Sequence, residues 1–374
     1  LNISISIDPK SSPVIGGNDT APQPVAVRAS QSAQNLGWTN EAERQDQIKA
    51  ALATALAREG IALEGTRIEG RSAELLIRNE RFDIESQAVG RAMRIMTRVL
   101  PDSVETLKVT YSNQGIPAGS VTISRSDIEA LEHAPATDIL NRARFSADSS
   151  ALSFDSLEGT YPRLTWGLGP IAKFSVFDPD SPVRADLLAQ IEGQYHIAPG
   201  WVASGSFNYK LGGNLDGLSP NRGGFVAINP PHAVRSDARL YAVGRGPKIE
   251  HLTIAKYGRL GENLYGRMTF GYLEQMYAGV SGEVLWKPVS SRLALAAELN
   301  YVVQRDFDQR FGLQDYNIAT GHLSAYYDLG KGFHTQVDVG RYLAGDCGAT
   351  VAVDREFGNG WRVGAYVTKT NLSS

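Results

Sequence analysis

From about Leu264 to Thr370 the chain alternates apolar and polar positions in successive blocks of about ten residues. In one block Leu293, Leu295, Ala297, Leu299, Tyr301 and Val303 are separated by Ala294, Ala296, Glu298, Asn300, Val302 and Gln304. A strand turns successive side chains to opposite faces, so this block has one greasy face and one small or polar face. Strands are expected over 163–176, 184–197, 201–212, 249–259, 264–274, 277–287, 292–304, 318–328, 333–343, 347–357 and 361–369. Short turns fall at 287–291, 329–332 and 358–360, long connections at 214–234 and 306–316, and no helix is expected to interrupt the meander. Alternating short and long turns between amphipathic strands predict a transmembrane β-barrel, lipid outside and water inside. A soluble sandwich also alternates. The Gly, Ser and paired charges of the second face favour the barrel.

Alternation also assigns the faces. Lipid-facing candidates are Met268, Phe270, Tyr272, Val280, Val284, Trp286, Phe333, Val337, Val339, Val351, Val353, Trp361, Val363 and Val367. Lumen-lining candidates are Arg267, Glu283, Glu298, His322, His334, Gln336, Asp338 and Arg362, accompanied by Thr269, Ser281, Asn300, Ser324 and Tyr366. Aromatic residues such as Tyr265, Trp286, Tyr301, Tyr327, Phe333, Phe357 and Trp361 sit near strand ends, as interfacial girdles require.

The preceding part has a different period. Residues 1–38 read as a strand over Leu1–Ile7 followed by a linker broken by Pro9, Pro13, Gly16-Gly17, Pro22 and Pro24. Residues 39–134 read as an α+β domain on the periplasmic side. Thr39 or Asn40 caps a helix with Ile48, Leu52, Ala55 and Leu56 inward, ended by Gly60. Strands follow at 61–69 and 72–79. The unit repeats: a helix from Asp83 or Glu85, stopped by Pro101, then strands at 104–111 and 116–124. Ser126-Asp127 caps a third, short helix, and 135–160 is a polar linker. The fold class expected is therefore an α+β domain followed by an antiparallel, mostly all-β barrel over 161–374, incomplete in this chain. Both chain ends read as interior cuts of a longer protein.

Composition narrows the chemistry. The net charge of −3 and pI near 6.1 give no electrostatic case for nucleic acid. The lone Cys347 can form neither an internal disulfide nor a metal cluster and reads as a small buried or lipid-facing residue. His334 and Asp338 share a strand face but lie about 13 Å apart by the strand rise, too far for one metal. No cofactor or metal is expected, and no catalytic residue is read. An enzymatic reading has only Glu283 and Glu298 to offer, two carboxylates on neighbouring strands.

Three longer stretches carry a resemblance: 257–277 (YGRLGENLYGRMTFGYLEQMY), 304–313 (QRDFDQRFGL) and 339–346 (VGRYLAGD). They resemble the YjbH-like outer-membrane proteins of Gram-negative bacteria, among them the corresponding component of group 4 capsule systems. The likeness covers most of 160–370 and, more loosely, the α+β part. It implies an outer-membrane β-barrel, often lipid-anchored, that takes part in exopolysaccharide or capsule production or export. Its expected partners are a polysaccharide chain, other secretion proteins and outer-membrane lipid. It supplies no catalytic residue, and Cys347 stands where an aromatic, Trp, is expected. About eleven strands is an odd count, which also points to an incomplete barrel. The alternatives are a soluble or surface carbohydrate-binding β protein, or a barrel enzyme acting on polysaccharide.

Overall fold

The computed structural model describes residues 21–28, 41–82, 84–147, 155–156, 159–176, 182–217, 234–235, 238–357 and 361–372, with positions 34, 36 and 38 between. The expected strand at Leu1–Ile7, the Thr39 and Asn40 caps and Asp83 lie outside these residues.

The first part builds the helix-strand-strand unit twice: α1 (Ala42–Arg58), β1 (Ile61–Glu69), β2 (Ser72–Asn79), then α2 (Glu85–Val99), β3 (Thr106–Asn113) and β4 (Ile116–Ser124). Each unit closes its own antiparallel hairpin, and β2 pairs with β3 in parallel to join them. The apolar stripes of the helices meet one sheet face. Leu52, Leu56, Met96, Ile61, Leu75, Ile77 and Leu107 are fully buried in one cluster. Each such burial contributes about 1.5–3 kcal/mol relative to exposure. Helix α3 (Arg125–Leu131) starts earlier than expected, because Ser124 rather than Ser126 accepts the Asp127 amide at 3.0 Å.

Two stretches read as linkers are built in. Within 135–160 lie α4 (Ala136–Arg142), β5 (Arg144–Ser146) and β6 (Asp155–Ser156). The last two add to opposite edges, giving the order β5-β4-β3-β2-β1-β6. Short strands there cover backbone that the longer β4 and β1 would otherwise leave bare. Residues 21–28 pack on the helices: Val25 is buried and its amide donates to Glu132.

The second part is one eleven-stranded antiparallel sheet in sequence order. Its strands are β7 (Arg163–Val176), β8 (Val183–Ala198), β9 (Trp201–Gly213), β10 (Pro247–Gly261), β11 (Leu264–Tyr272), β12 (Tyr277–Trp286), β13 (Leu293–Arg305), β14 (Leu313–Gly330), β15 (Phe333–Arg341), β16 (Cys347–Glu356) and β17 (Arg362–Thr370). Strands β7 and β17 stand at the two edges. One end of the sheet has two-residue turns at Pro199-Gly200, Glu262-Asn263 and Lys331-Gly332. The other end carries the long β9–β10 connection. That connection holds a short helix, α5 (Ala238–Ala242), where an uninterrupted meander was expected. Tyr241 anchors the helix inward, its hydroxyl donating to the Arg305 carbonyl at 2.8 Å.

Candidate functional site

Register sorts the faces as alternation predicts. Arg267 lies opposite Glu283, Glu283 opposite Glu298, and Glu298 opposite His322. Same-face residues from β8 to β17, including Gln194, Ser204, Thr253, Asn300, Thr320 and Thr368, line a single cavity of about 760 Å³. The sheet therefore curls around a polar hollow. Its other face presents Met268, Phe270, Leu299, Leu323, Val339 and Val367, all exposed. Cys347, the first residue of β16, is exposed and shares the face of Val351 and Val353.

The structure draws the eight expected residues into three groups. The first is a row across β11–β14. Arg267 pairs with Glu283 at 2.7 Å, the Asn300 amide donates to Glu298 at 2.5 Å, and the His322 ring packs edge-on against Tyr342 at 4.8 Å. Arg267, Glu298 and His322 line the cavity directly. The buried His322 Nε2 has no hydrogen-bond partner among the described residues. The second group joins Ser324 and Gln336 to Asp338, at 2.6 and 2.9 Å. The third is at the short-turn end, where Arg362 pairs with Asp354 at 2.6 Å and His334 lies opposite that same aspartate. Among the described residues, no group of three or more His, Cys, Asp or Glu side chains is arranged to hold a metal.

Sequence reasoning missed the other wall, where β8 to β10 supply Gln194, Ser204, His251 and Thr253. The alternation of Gln190, Glu192 and Gln194 with Ala189, Ile191 and Gly193 carries that signal. It also missed how both ends of the hollow are furnished. At the long-loop end Tyr241, Met276, Tyr277, Val302 and Ile318 form a second apolar cluster. Arg305, fully buried, donates there to the carbonyls of Glu274, Gln309 and Arg310 at 2.6, 2.9 and 3.2 Å.

The α+β part attaches at the short-turn end. The Gly200 amide donates to the Gln114 carbonyl at 3.1 Å, and Tyr265 Oη to the Ala118 carbonyl at 2.7 Å. Gly115 and Gly200 meet at positive φ: a Cβ on Gly115 would lie 2.8 Å from the Gly200 nitrogen. Gln114, in the β3–β4 turn, reaches the cavity lining. Tyr161 Oη donates to the buried Glu64 at 3.2 Å. Burial, and then the Glu64 charge, push that phenol up to about 12.

Fold and surface together define the class: an α+β module fixed to the short-turn end of a curled antiparallel sheet, polar in its hollow and apolar on its outside. The family model of the exopolysaccharide biosynthesis protein YbjH matches residues 1–374, and the chain belongs to that family. A relative from Escherichia coli strain K12, the uncharacterized lipoprotein YjbH, is 28% identical over 329 residues. The match takes in 83% of this chain and 46% of that protein, so the chain spans about half the length of this relative. No solved structure matches.

Proposed function

We propose that β7–β17 form the wall of an outer-membrane β-barrel, with the α+β part on the periplasmic side. Its polar hollow would hold or guide a polysaccharide chain during exopolysaccharide production or export. One observation carries this reading. Among the described residues of the eleven strands, the outer face bears charge only near the levels where strands begin or stop, at Lys256, Asp315, Arg341, Arg355 and Lys369. A lysine or arginine at mid-bilayer on a barrel's outer face costs about 2–4 kcal/mol and far less near the interface. Lys256 behaves as an interfacial residue: its amine lies over the Trp201 ring at 5.1 Å and donates to the Pro199 carbonyl.

Two further observations support it. Four of the five tryptophans, Trp166, Trp201, Trp286 and Trp361, sit outward near the short-turn end, where an aromatic belt belongs. The α+β part docks at that same end, and short turns are the periplasmic ones in such barrels.

The hollow suits a hydroxyl-rich chain, with carboxylates, amides and hydroxyls to hydrogen-bond and Tyr257 and Tyr342 along the lining. We read its role as conveying rather than cleaving, since Glu283 is engaged by Arg267 and Glu298 by Asn300. Membrane fractionation with heat-modifiable gel mobility tests the barrel: the protein is expected in the outer membrane, with a band that shifts on boiling. Deleting the gene is expected to lower secreted polymer. The Glu283→Gln, Glu298→Gln double variant should leave polymer length and composition unchanged. Unaltered secretion in the deletion strain overturns the export role, and altered composition in the double variant overturns the non-enzymatic reading.

A further inference from the structure

Beyond the row that runs from Arg267 to His322, a second chamber of about 690 Å³ lies at the long-loop end, walled largely by β7–β10. Arg235, His251, Leu273 and Glu274 border both spaces, so the two adjoin. Four cationic side chains line this chamber. Three of them face carboxylates: Lys173 lies 2.8 Å from Glu250, Lys210 2.9 Å from Asp186 and Arg235 2.7 Å from Glu274. Lys248 is different. Its ammonium donates to the Tyr241 carbonyl and, at 2.7 Å, to the Val243 carbonyl, and among the described residues it pairs with no carboxylate. An ammonium has three donors, so one remains for the chamber.

Directly opposite Lys248 in the β9–β10 register stands Asn208. Asn208 is 4% exposed, and its amide nitrogen donates to Glu250 at 2.6 Å. Its Oδ1 is buried and has no hydrogen-bond partner among the described residues. A buried acceptor left unmatched is costly, which marks the position as one that a ligand completes. The two residues share one sheet face and line the same chamber, so a cation without a counter-charge stands beside an acceptor without a donor.

Resting on the polysaccharide reading above, we propose that this chamber is a subsite for an acidic sugar unit, with the sugar carboxylate on Lys248 and a ring hydroxyl donating to Asn208 Oδ1. A neutral sugar would satisfy the acceptor and leave the cation without a counter-charge. An inorganic anion such as sulfate would match the cation, but it brings no donor for Asn208 and would lie close to the Glu250 carboxylate. A sugar that carries a carboxylate has both functions on one ring.

The test uses the detergent-solubilised protein made from its complete gene and two β-1,4-linked tetramers, one of glucose and one of glucuronic acid, which differ at C6 alone. A charge-assisted hydrogen bond is expected to make the acidic tetramer bind about tenfold tighter or more, a preference that shrinks as salt is added. Lys248→Met should abolish the preference and Lys248→Arg should retain it, while Asn208→Leu should weaken both tetramers. A glucuronate tetramer carrying a diazirine at its reducing end places the contact in the unmutated protein, whether or not the variants fold. Its label is expected within Trp201–Gly213 or Pro247–Gly261. Equal binding of the two tetramers, label confined to other strands, or displacement of the acidic tetramer by an equal concentration of acetate each overturns the subsite and leaves the polysaccharide reading standing. Binding of neither tetramer sinks the polysaccharide reading along with it.

Discussion

At the scale of single residues, Arg305 shows what a motif can hide. It lies in the stretch 304–313 that resembles the family, yet its work is invisible from its neighbours in sequence. Fully buried, it stacks over the Tyr272 ring at 4.8 Å and bonds carbonyls from the β11–β12 turn and the β13–β14 connection. Only a planar fork with several donors can serve carbonyls in these directions at once, so lysine is no substitute. A buried carbonyl stripped of its donor costs about 1–3 kcal/mol. Arg305→Met strips the Glu274 and Arg310 carbonyls of this donor, while the Gln309 carbonyl keeps the Ile249 amide at 3.0 Å, and Arg305→Lys is expected to rescue little. Both variants should lose the folded, fast-migrating band at a lower temperature than the parent, with Met the worse. An unchanged melting profile would show that the clamp is dispensable. By contrast, which side chains share one face of a strand was legible, because alternation within one strand needs no knowledge of its neighbour.

At the scale of elements, strand existence was easier to read than strand ends. Strand β14 begins at Leu313, not near residue 318. The polar run Gln314-Asp315 looks like loop, but Leu313 pairs with Arg305 across a register shift, and Asp306 and Gly312 close the connection beneath it. The α+β strands at 61–69 and 72–79 needed no correction, since their boundaries are punctuated by Gly60 and Gly70 at positive φ. The tryptophan belt gives an element-scale prediction. In lipid bilayers carrying bromine high on their acyl chains, fluorescence of Trp166, Trp201, Trp286 and Trp361 should be quenched. Trp38 should persist, being buried in the α+β part with its indole donating to Ser103 at 2.8 Å. Single-tryptophan variants separate the five. Equal quenching of Trp38, or none at Trp286, would contradict this placement.

At the scale of the whole molecule, the α+β part should lose stability in acid. Burial alone would raise the Glu105 carboxyl, but hydrogen bonds from Ser126 and Arg28 outweigh it and hold the group below its ordinary value. The Val25 amide, with Arg94 beside it, does the same for Glu132. Groups lowered in the fold contribute stability that is complete above the ordinary value of 4.5 and is lost as pH falls through the lowered values. Glu85, raised by burial, acts oppositely: its contribution is complete below that ordinary value and fades as pH rises through the raised one. With two groups against one, the helical circular dichroism, which comes chiefly from α1 and α2, should melt at progressively lower temperature below about pH 4.5. Glu105→Gln together with Glu132→Gln should flatten that slope. A melting temperature constant from pH 6 to pH 3 would rule this linkage out.

The sequence by itself determined the periodicities, and with them two helix-strand-strand units, a long amphipathic meander and the polar face of each strand. Those properties are local: side-chain direction repeats every two residues in a strand and every 3.6 in a helix, whatever the strand or helix packs against. Only the tertiary structure decided which residues meet across strands. It set Arg267 against Glu283, brought Gln114 of the α+β part to the rim of the hollow, and gathered Tyr241 and Arg305 at the long-loop end. It also decided that β7 and β17, the edge strands among the described residues, run in the same direction. Such contacts depend on register and curl, which arise from hydrogen bonds between segments far apart in the chain and leave no mark in the order of residues within any one of them.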